Sequence, residues 1–360
     1  MRKKSKRFGV NLIGNIRSTG NQGICFRHLV KVIRKTKIPL SLVNTPNLAN
    51  NCSKLISRMK YSINIFVITP PELLSVKAVL SCKTQHQYNI VALHWGYSSF
   101  PEEYRNSLSC FDKIWVFCKC DEYLFKSLTD IPVLRFYPRE EITRSMKLSR
   151  KQLSLPENSD LFLTIYDEKK DYSISNVSAV IKAFRKAFRK EDRSACLVVK
   201  IINSNNDVRQ KIEKELEDVN SIIIDSIYTE KQLNELVRLC NVLVSLEKST
   251  PYNYKLAKAM LSHTAVIASN CQGNSDIISH LTACCVDCRE RTAQIEYDTV
   301  QFESEVFETD VIQTAVFMKL IRNDAHYRKS ISDYAYYNIT ARTEASLTDC
   351  MITEEIMNLK

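Results

Sequence analysis

Residues 242–268 constrain the fold more than any other stretch of the chain. Val242, Leu243, Val244 and Leu246 make the apolar run of a buried strand. A polar turn follows, Glu247-Lys248-Ser249-Thr250. Ser249 or Thr250 is placed to cap a helix there, and Pro251 suits the helix's first turn. Alanine-rich spacing from Tyr254 to Met260 carries the helix on, and residues 265–268 read as the next strand. Strand, turn, helix, strand is the repeating unit of a doubly wound α/β sheet. Such sheets bind ligands beyond the carboxyl ends of their strands, with anions at a helix N-terminus. The turn at Ser249, Thr250, Tyr252, Asn253 and Tyr254 is therefore the first candidate site.

The same alternation runs through the rest of the chain. Residues 8–13 form a strand, 14–23 the longest turn-like stretch, 24–33 an amphipathic helix and 39–43 a second strand. This βαβ unit lacks GxGxxG, so it carries no dinucleotide fingerprint. Its loop, bounded by Gly14 and Gly23, is either an ordinary connection or a loop that faces an acceptor or a phosphate. Strands follow at 63–68, 89–95, 112–118 and 132–138. His94 falls at the end of one of them, as a structural residue or as a side chain facing a ligand. After a charged segment at 139–158 the pattern resumes with strands at 161–166, 196–202 and 222–225 and a helix at 230–239. Helices are expected at 311–321 and 327–345. At 360 residues the chain is long for one core. Two Rossmann-like domains are expected, at 1–150 and 151–330.

Several segments resemble, in order and spacing, the family 4 glycosyltransferases, retaining enzymes of the GT-B fold. That family's donor segment reads Ser-Glu-Gly-Phe-Gly, a few residues, then Ala-Glu-Ala-Met. Here Ser249, Tyr252, Leu256, Ala257, Ala259 and Met260 keep the frame, while Thr250 and Lys258 stand where the two Glu would be. Gly14, Arg17 and Gly23 match the N-terminal Gly-rich motif, with Asn21 and Ile24 as departures. Trp95 and Phe100-Pro101-Glu102-Glu103 match a further motif, as do residues 112–118 and the strand carrying Lys200. The resemblance spans residues 8–345. It implies two doubly wound domains facing a cleft, with the C-terminal helix 331–352 packing back on the first.

The resemblance also implies a reaction, the transfer of a sugar from a nucleotide-sugar donor to a glycan or lipid-linked acceptor. No metal or other cofactor is expected. The leaving diphosphate would be neutralised by cations and a helix N-terminus. Lys200 and Lys258 are candidate cations, as are Lys169 and Lys170, because the places of the family's usual cation pair hold Ile174 and Ser175. His94 is the candidate catalytic residue. The family's second Glu holds ribose hydroxyls, and a lysine has only donors. Replacing both Glu removes two charged hydrogen bonds, about 3–6 kcal/mol together. The alternative is a catalytically degenerate subunit that binds a glycan or a partner glycosyltransferase.

Composition narrows the remaining classes. Formal net charge is +11, which favours an anionic partner. No nucleic-acid motif accompanies it, and nucleic acid is not expected. No apolar run is long enough to span a membrane. The basic start, residues 1–7, precedes a segment too short and polar for a signal-peptide core, so the expected location is cytoplasmic. On the helix from Val177, the residues Val180, Ile181, Phe184 and Phe188 share one face, and Lys182, Arg185, Lys186, Arg189 and Lys190 the other. That basic face is a solvated surface or a peripheral contact with an anionic membrane. The thirteen cysteines are expected to be free thiols. Cys285 and Cys288 have zinc-ligand spacing, but no second pair completes a site.

Overall fold

A computed structural model describes residues 7–18, 20–45, 52–81, 87–138, 147–168, 171–342 and 345–360. Lys169 and Lys170 lie outside the described residues. The chain divides into two compact units. The first holds residues 1–139, 294–304 and 343–360, and the second holds 140–293 and 305–342.

Unit 1 is built from β1 (Arg7–Gly14), α1 (Asn21–Lys35), β2 (Leu40–Asn44), α2 (Cys52–Arg58), β3 (Tyr61–Val67), α3 (Glu72–Ser81), β4 (Tyr88–Ala92), α4 (Glu102–Arg105), β5 (Lys113–Val116), α5 (Lys119–Leu128) and β6 (Val133–Arg135). The strands pair in the order β2-β1-β3-β4-β5-β6, all parallel. Parallel sheets are covered on both faces, and the apolar runs of β1, β3 and β5 meet that demand. Trp115, Phe66, Phe117 and Phe125 are fully buried. One polar line crosses this sheet. Asn11, Asn64 and Asn89 sit in register on adjacent strands and bond side chain to side chain at 2.8 Å.

Unit 2 opens with β7 (Asp160–Asp167), α6 (Tyr172–Ser175), α7 (Val177–Ala187), β8 (Ala195–Ile202), α8 (Asn206–Glu215), β9 (Ser221–Ile224), α9 (Glu230–Leu239), β10 (Val242–Ser245), α10 (Tyr254–Leu261), β11 (Ala265–Ser269), α11 (Gln272–Ser275) and β12 (Cys284–Val286). These strands pair in the order β12-β11-β10-β7-β8-β9, again parallel. β13 (Cys288–Tyr297) and β14 (Val300–Thr309) then form a separate two-stranded hairpin. α12 (Val311–Asn323), α13 (Ala325–Arg342) and α14 (Ala345–Met357) end the chain.

Two expectations change, and one element is new. Residues 24–33 are part of a longer helix that begins at Asn21, so Gly23 lies in its first turn and not in a loop. Residues 331–352 are two helices. α13 buries Ile331, Ala335 and Ile339 within unit 2, and α14 buries Ile352 and Ile356 within unit 1. There Lys35 pairs with Asp349 at 3.0 Å, and Thr348 Oγ1 donates to the Tyr137 carbonyl at 3.0 Å. The hairpin at 288–309 was not expected at all. It divides between the units, with 294–304 counted in unit 1.

Candidate functional site

In unit 2, the strand β10 ends at Ser245 and the chain turns at the carboxyl edge of the sheet. The turn is longer than its sequence suggests. Neither Ser249 nor Thr250 caps α10; the cap is Asn253, whose side chain accepts from the Lys255 N–H at 3.2 Å. Pro251 therefore precedes the helix. Thr250 is engaged elsewhere, since its N–H donates to Gln272 Oε1 (3.0 Å) and its carbonyl accepts from the Gly273 N–H (3.1 Å). A side chain at 273 would place Cβ 2.2 Å from the Pro251 carbonyl oxygen, so only glycine lets α11 approach this turn. Ser249, Thr250, Tyr252, Asn253 and Tyr254 are all buried, and the rings of Tyr252 and Tyr254 meet edge to face at 5.1 Å.

The centre of the turn is a carboxylate that sequence reasoning passed over. Glu247 is buried. Its Oε1 is paired with Lys255 Nζ, and its Oε2 accepts from Ser245 Oγ and, at 3.4 Å, from Asn253 Nδ2. Lys255 Nζ also donates to the Ile165 carbonyl at 3.2 Å. Asn253 Nδ2 continues to Asn274 Oδ1 at 3.0 Å, and Asn274 bonds Ser269 in turn. A buried charge needs a partner and hydrogen bonds for its remaining lone pairs, and Glu247 has both. The signal in the sequence was an acid directly after a buried strand, followed by Lys255 at the start of a helix.

Among the described residues, the candidate cations Lys200 and Lys258 are both engaged. Lys200 is buried, and its Nζ donates to the carbonyls of Ile201 (2.6 Å) and Ser226 (2.9 Å), with the Ile224 carbonyl at 3.4 Å. Burial pushes its pKa down, against the upward pull of Asp225. Three carbonyls take up the three ammonium protons, which leaves Lys200 bracing the ends of β8 and β9. Lys258 Nζ lies 3.0 Å from Glu230 Oε1, at the first residue of α9. Lys248 Nζ is 2.7 Å from Glu308 Oε1.

In unit 1, the carboxyl edge holds Gly14, the turn at 15–18, and His94. Glycine at 14 is required because a Cβ would sit 2.5 Å from the Val67 carbonyl oxygen. At Gly23 a Cβ would lie 1.9 Å from the Ser18 carbonyl oxygen, so the first turn of α1 packs directly on this loop. Arg27 clamps it from within the helix, donating to the carbonyls of Ile16 (3.0 Å) and Ser18 (2.8 Å). His94 follows the end of β4. It is buried and stacks on Phe117 with ring centroids 4.0 Å apart. Burial drives its pKa down to about 3, so the imidazole is neutral at ordinary pH.

The segment after His94 is held by a second carboxylate missed in the sequence. Asp121 is fully buried and accepts from the N–H groups of Trp95 (3.1 Å) and Gly96 (2.8 Å). The hairpin's residues within unit 1 cover the same segment. Tyr297 and Phe302 pack on Trp95 at 4.9 and 5.5 Å between centroids, and the Ser98 N–H donates to Ser304 Oγ at 3.1 Å.

The cysteines with described side chains are free thiols. Cys284 and Cys285 are buried in β12. Among the described residues, metal-type ligand atoms converge at Cys118, Cys120 and Asp121 and not at residues 284–288. Cys118 and Cys120 hold their sulfurs 3.2 Å apart. No helix of the described residues is long and apolar enough to cross a membrane.

No protein-family profile and no curated protein matches the chain. Solved structures do. HepE of Anabaena, crystallised with UDP and glucose, superposes with a TM-score of 0.72 at 10% identity, over 98% of this chain and 100% of that one. Sucrose-phosphate synthase from Thermosynechococcus elongatus gives 0.74 at 13% identity, over 98% and 99%. OtsA without ligand gives 0.65 at 11% identity, over 96% and 98%. The chain has the α/β fold of the GT-B glycosyltransferases, with two parallel six-stranded sheets.

Proposed function

We propose that the protein is a retaining glycosyltransferase that moves a sugar, of the hexose type, from a nucleotide sugar to a glycan or lipid-linked acceptor. The observation that carries this reading is the whole-length match to a structure crystallised with UDP-glucose. Unit 2 is the donor side, with the nucleotide at the carboxyl edge formed by the β10 turn and the start of α10. No metal takes part in this reading.

The Lys258–Glu230 pair supports it. Where the resembling family has a carboxylate that accepts from ribose hydroxyls, Lys258 offers only donors. Glu230, from the neighbouring helix, sets a carboxylate 3.0 Å from that ammonium. The acceptor lost from α10 is thereby returned from α9. Ribose would bond to Glu230, and Lys258 would be left to a phosphate oxygen. His94, neutral in this fold, can donate or accept a hydrogen bond near the acceptor but supplies no positive charge.

A second reading rests on Thr250. It is buried and bonded to Gln272 and Gly273, where the family has a carboxylate that touches the sugar. A protein with that change could hold a glycan or a partner glycosyltransferase without turnover. Calorimetry with UDP, GDP and their glucose and mannose conjugates separates the two. The enzyme reading expects saturable binding of one nucleotide family, weakened at least several-fold by Glu230→Gln. Absence of binding with every nucleotide would leave the non-catalytic reading standing.

A further inference from the structure

Helices α7 and α12 lie side by side on one face of the unit 2 sheet. At one end Asn176, the residue just before α7, donates from its side chain to Thr309 Oγ1 at 3.2 Å, just before α12. At the other end the Arg322 guanidinium sits 5.6 Å over the Phe188 ring. The two helices therefore run parallel. Both turn their apolar faces to the same core, α7 with Val177, Val180, Ile181 and Phe184, and α12 with Ala315, Met318 and Ile321. Their outward faces form one continuous surface.

That surface has an unusual composition. On α12, Ile312, Val316 and Leu320 are 66%, 56% and 39% exposed. Spaced by four, they stack into one ridge along the helix. Beside it, α7 turns Lys182 and Lys186 outward, Arg189 is exposed just past the end of α7, and Lys319 borders the ridge from α12 itself. These four cations are in no ion pair among the described residues, unlike Arg185, which is held by Asp218 at 2.8 Å. Glu191 and Asp192 stand beyond the helix ends, and Asp192 faces Arg322 at 3.6 Å.

We propose that this surface docks on an anionic lipid bilayer, with the ridge entering the headgroup layer and the cations on lipid phosphates. Amphipathic interfacial surfaces combine these two elements. The charge fits an anionic sheet, and lysine, with its long apolar stem and terminal ammonium, can follow mobile headgroups. A protein partner is disfavoured by the same residues, because protein interfaces are depleted in lysine at their centres. Docking here leaves the carboxyl edge of the sheet uncovered, so the proposal is independent of what binds there.

The test is flotation of the purified protein with vesicles of phosphatidylcholine alone, or mixed in equal parts with phosphatidylglycerol, without nucleotide. Flotation is expected with the anionic vesicles only, and raising the salt should reverse it. Lys182→Gln and Lys186→Gln should each weaken binding about fivefold. Val316→Ser with Leu320→Ser should abolish flotation while the thermal unfolding curve is retained. Lys329→Gln, on α13, should change nothing. Failure to float with anionic vesicles at low salt would overturn the proposal, as would flotation that survives the ridge variant. Sedimentation velocity adds a third check. A self-associated species that disappears in the ridge variant would mean that a second copy, and not lipid, covers the ridge.

Discussion

The turn after β10 depends on the Glu247–Lys255 pair, and the Glu247→Gln substitution measures by how much. Glutamine keeps the size of the side chain and one acceptor oxygen for Ser245 and Asn253, but it removes the charge. Two unit charges about 3 Å apart attract by roughly 5 kcal/mol at an effective dielectric constant near 20. Much of that is returned in the variant. The carboxylate's desolvation penalty disappears, and Lys255, whose side chain is 29% exposed against 4% for Glu247, can turn to water. A net loss of about 2 kcal/mol is expected. A double-mutant cycle with Lys255→Gln should give a coupling energy of about 2 kcal/mol, the Lys255→Gln change costing little more once Glu247 is neutral. Urea unfolding followed by circular dichroism is the assay, read as midpoint shifts because two units need not unfold in a single step. A coupling below about 0.5 kcal/mol would mean the two charges are solvated independently and the pair does not hold the turn.

Further outcomes follow from the same structure. His94 has a pKa lowered to about 3 in the folded state, so between that value and its unfolded value of about 6.5 the unfolded chain binds the extra proton. Stability present above pH 6.5 is then lost as pH falls, by about 2 kcal/mol between pH 7 and 5, and His94→Gln should flatten that part of the urea-midpoint profile. Gly23→Ala drives a Cβ to 1.9 Å from the Ser18 carbonyl oxygen, so the turn at 15–18 must move and the variant should lose about 2–4 kcal/mol, against less than 1 for Ala at exposed Lys31. Alkylation of the denatured protein, prepared without reductant, should label all thirteen cysteines, and pairing among those with described side chains would contradict the free thiols seen there.

Much of the architecture was legible in the sequence because it follows from local periodicity. The strands of both sheets are short apolar runs bounded by turns, and their alternation with helices requires parallel pairing whatever the side chains later do. Where the turns at the carboxyl edges fall was legible for the same reason, since strand ends and helix starts can be counted along the chain. Side-chain roles were not. Lys258 has the spacing of a ligand-facing residue, but Glu230, twenty-eight positions away, decides what its charge is worth. Lys200 reads as a free cation until the fold brings three carbonyls to it. Glu247 and Asp121 carry no motif, and each owes its importance to backbone and side-chain donors delivered by other elements. The hairpin at 288–309 alternates polar and apolar residues around Asp298, a local signal that was present and passed over. Which segment it covers was never in the local sequence, because Trp95 lies some two hundred residues before Tyr297 and Phe302. Periodicity fixes what each element buries, whereas the partners of a charge are set by contacts between residues far apart in the chain, and only the folded structure brings those together.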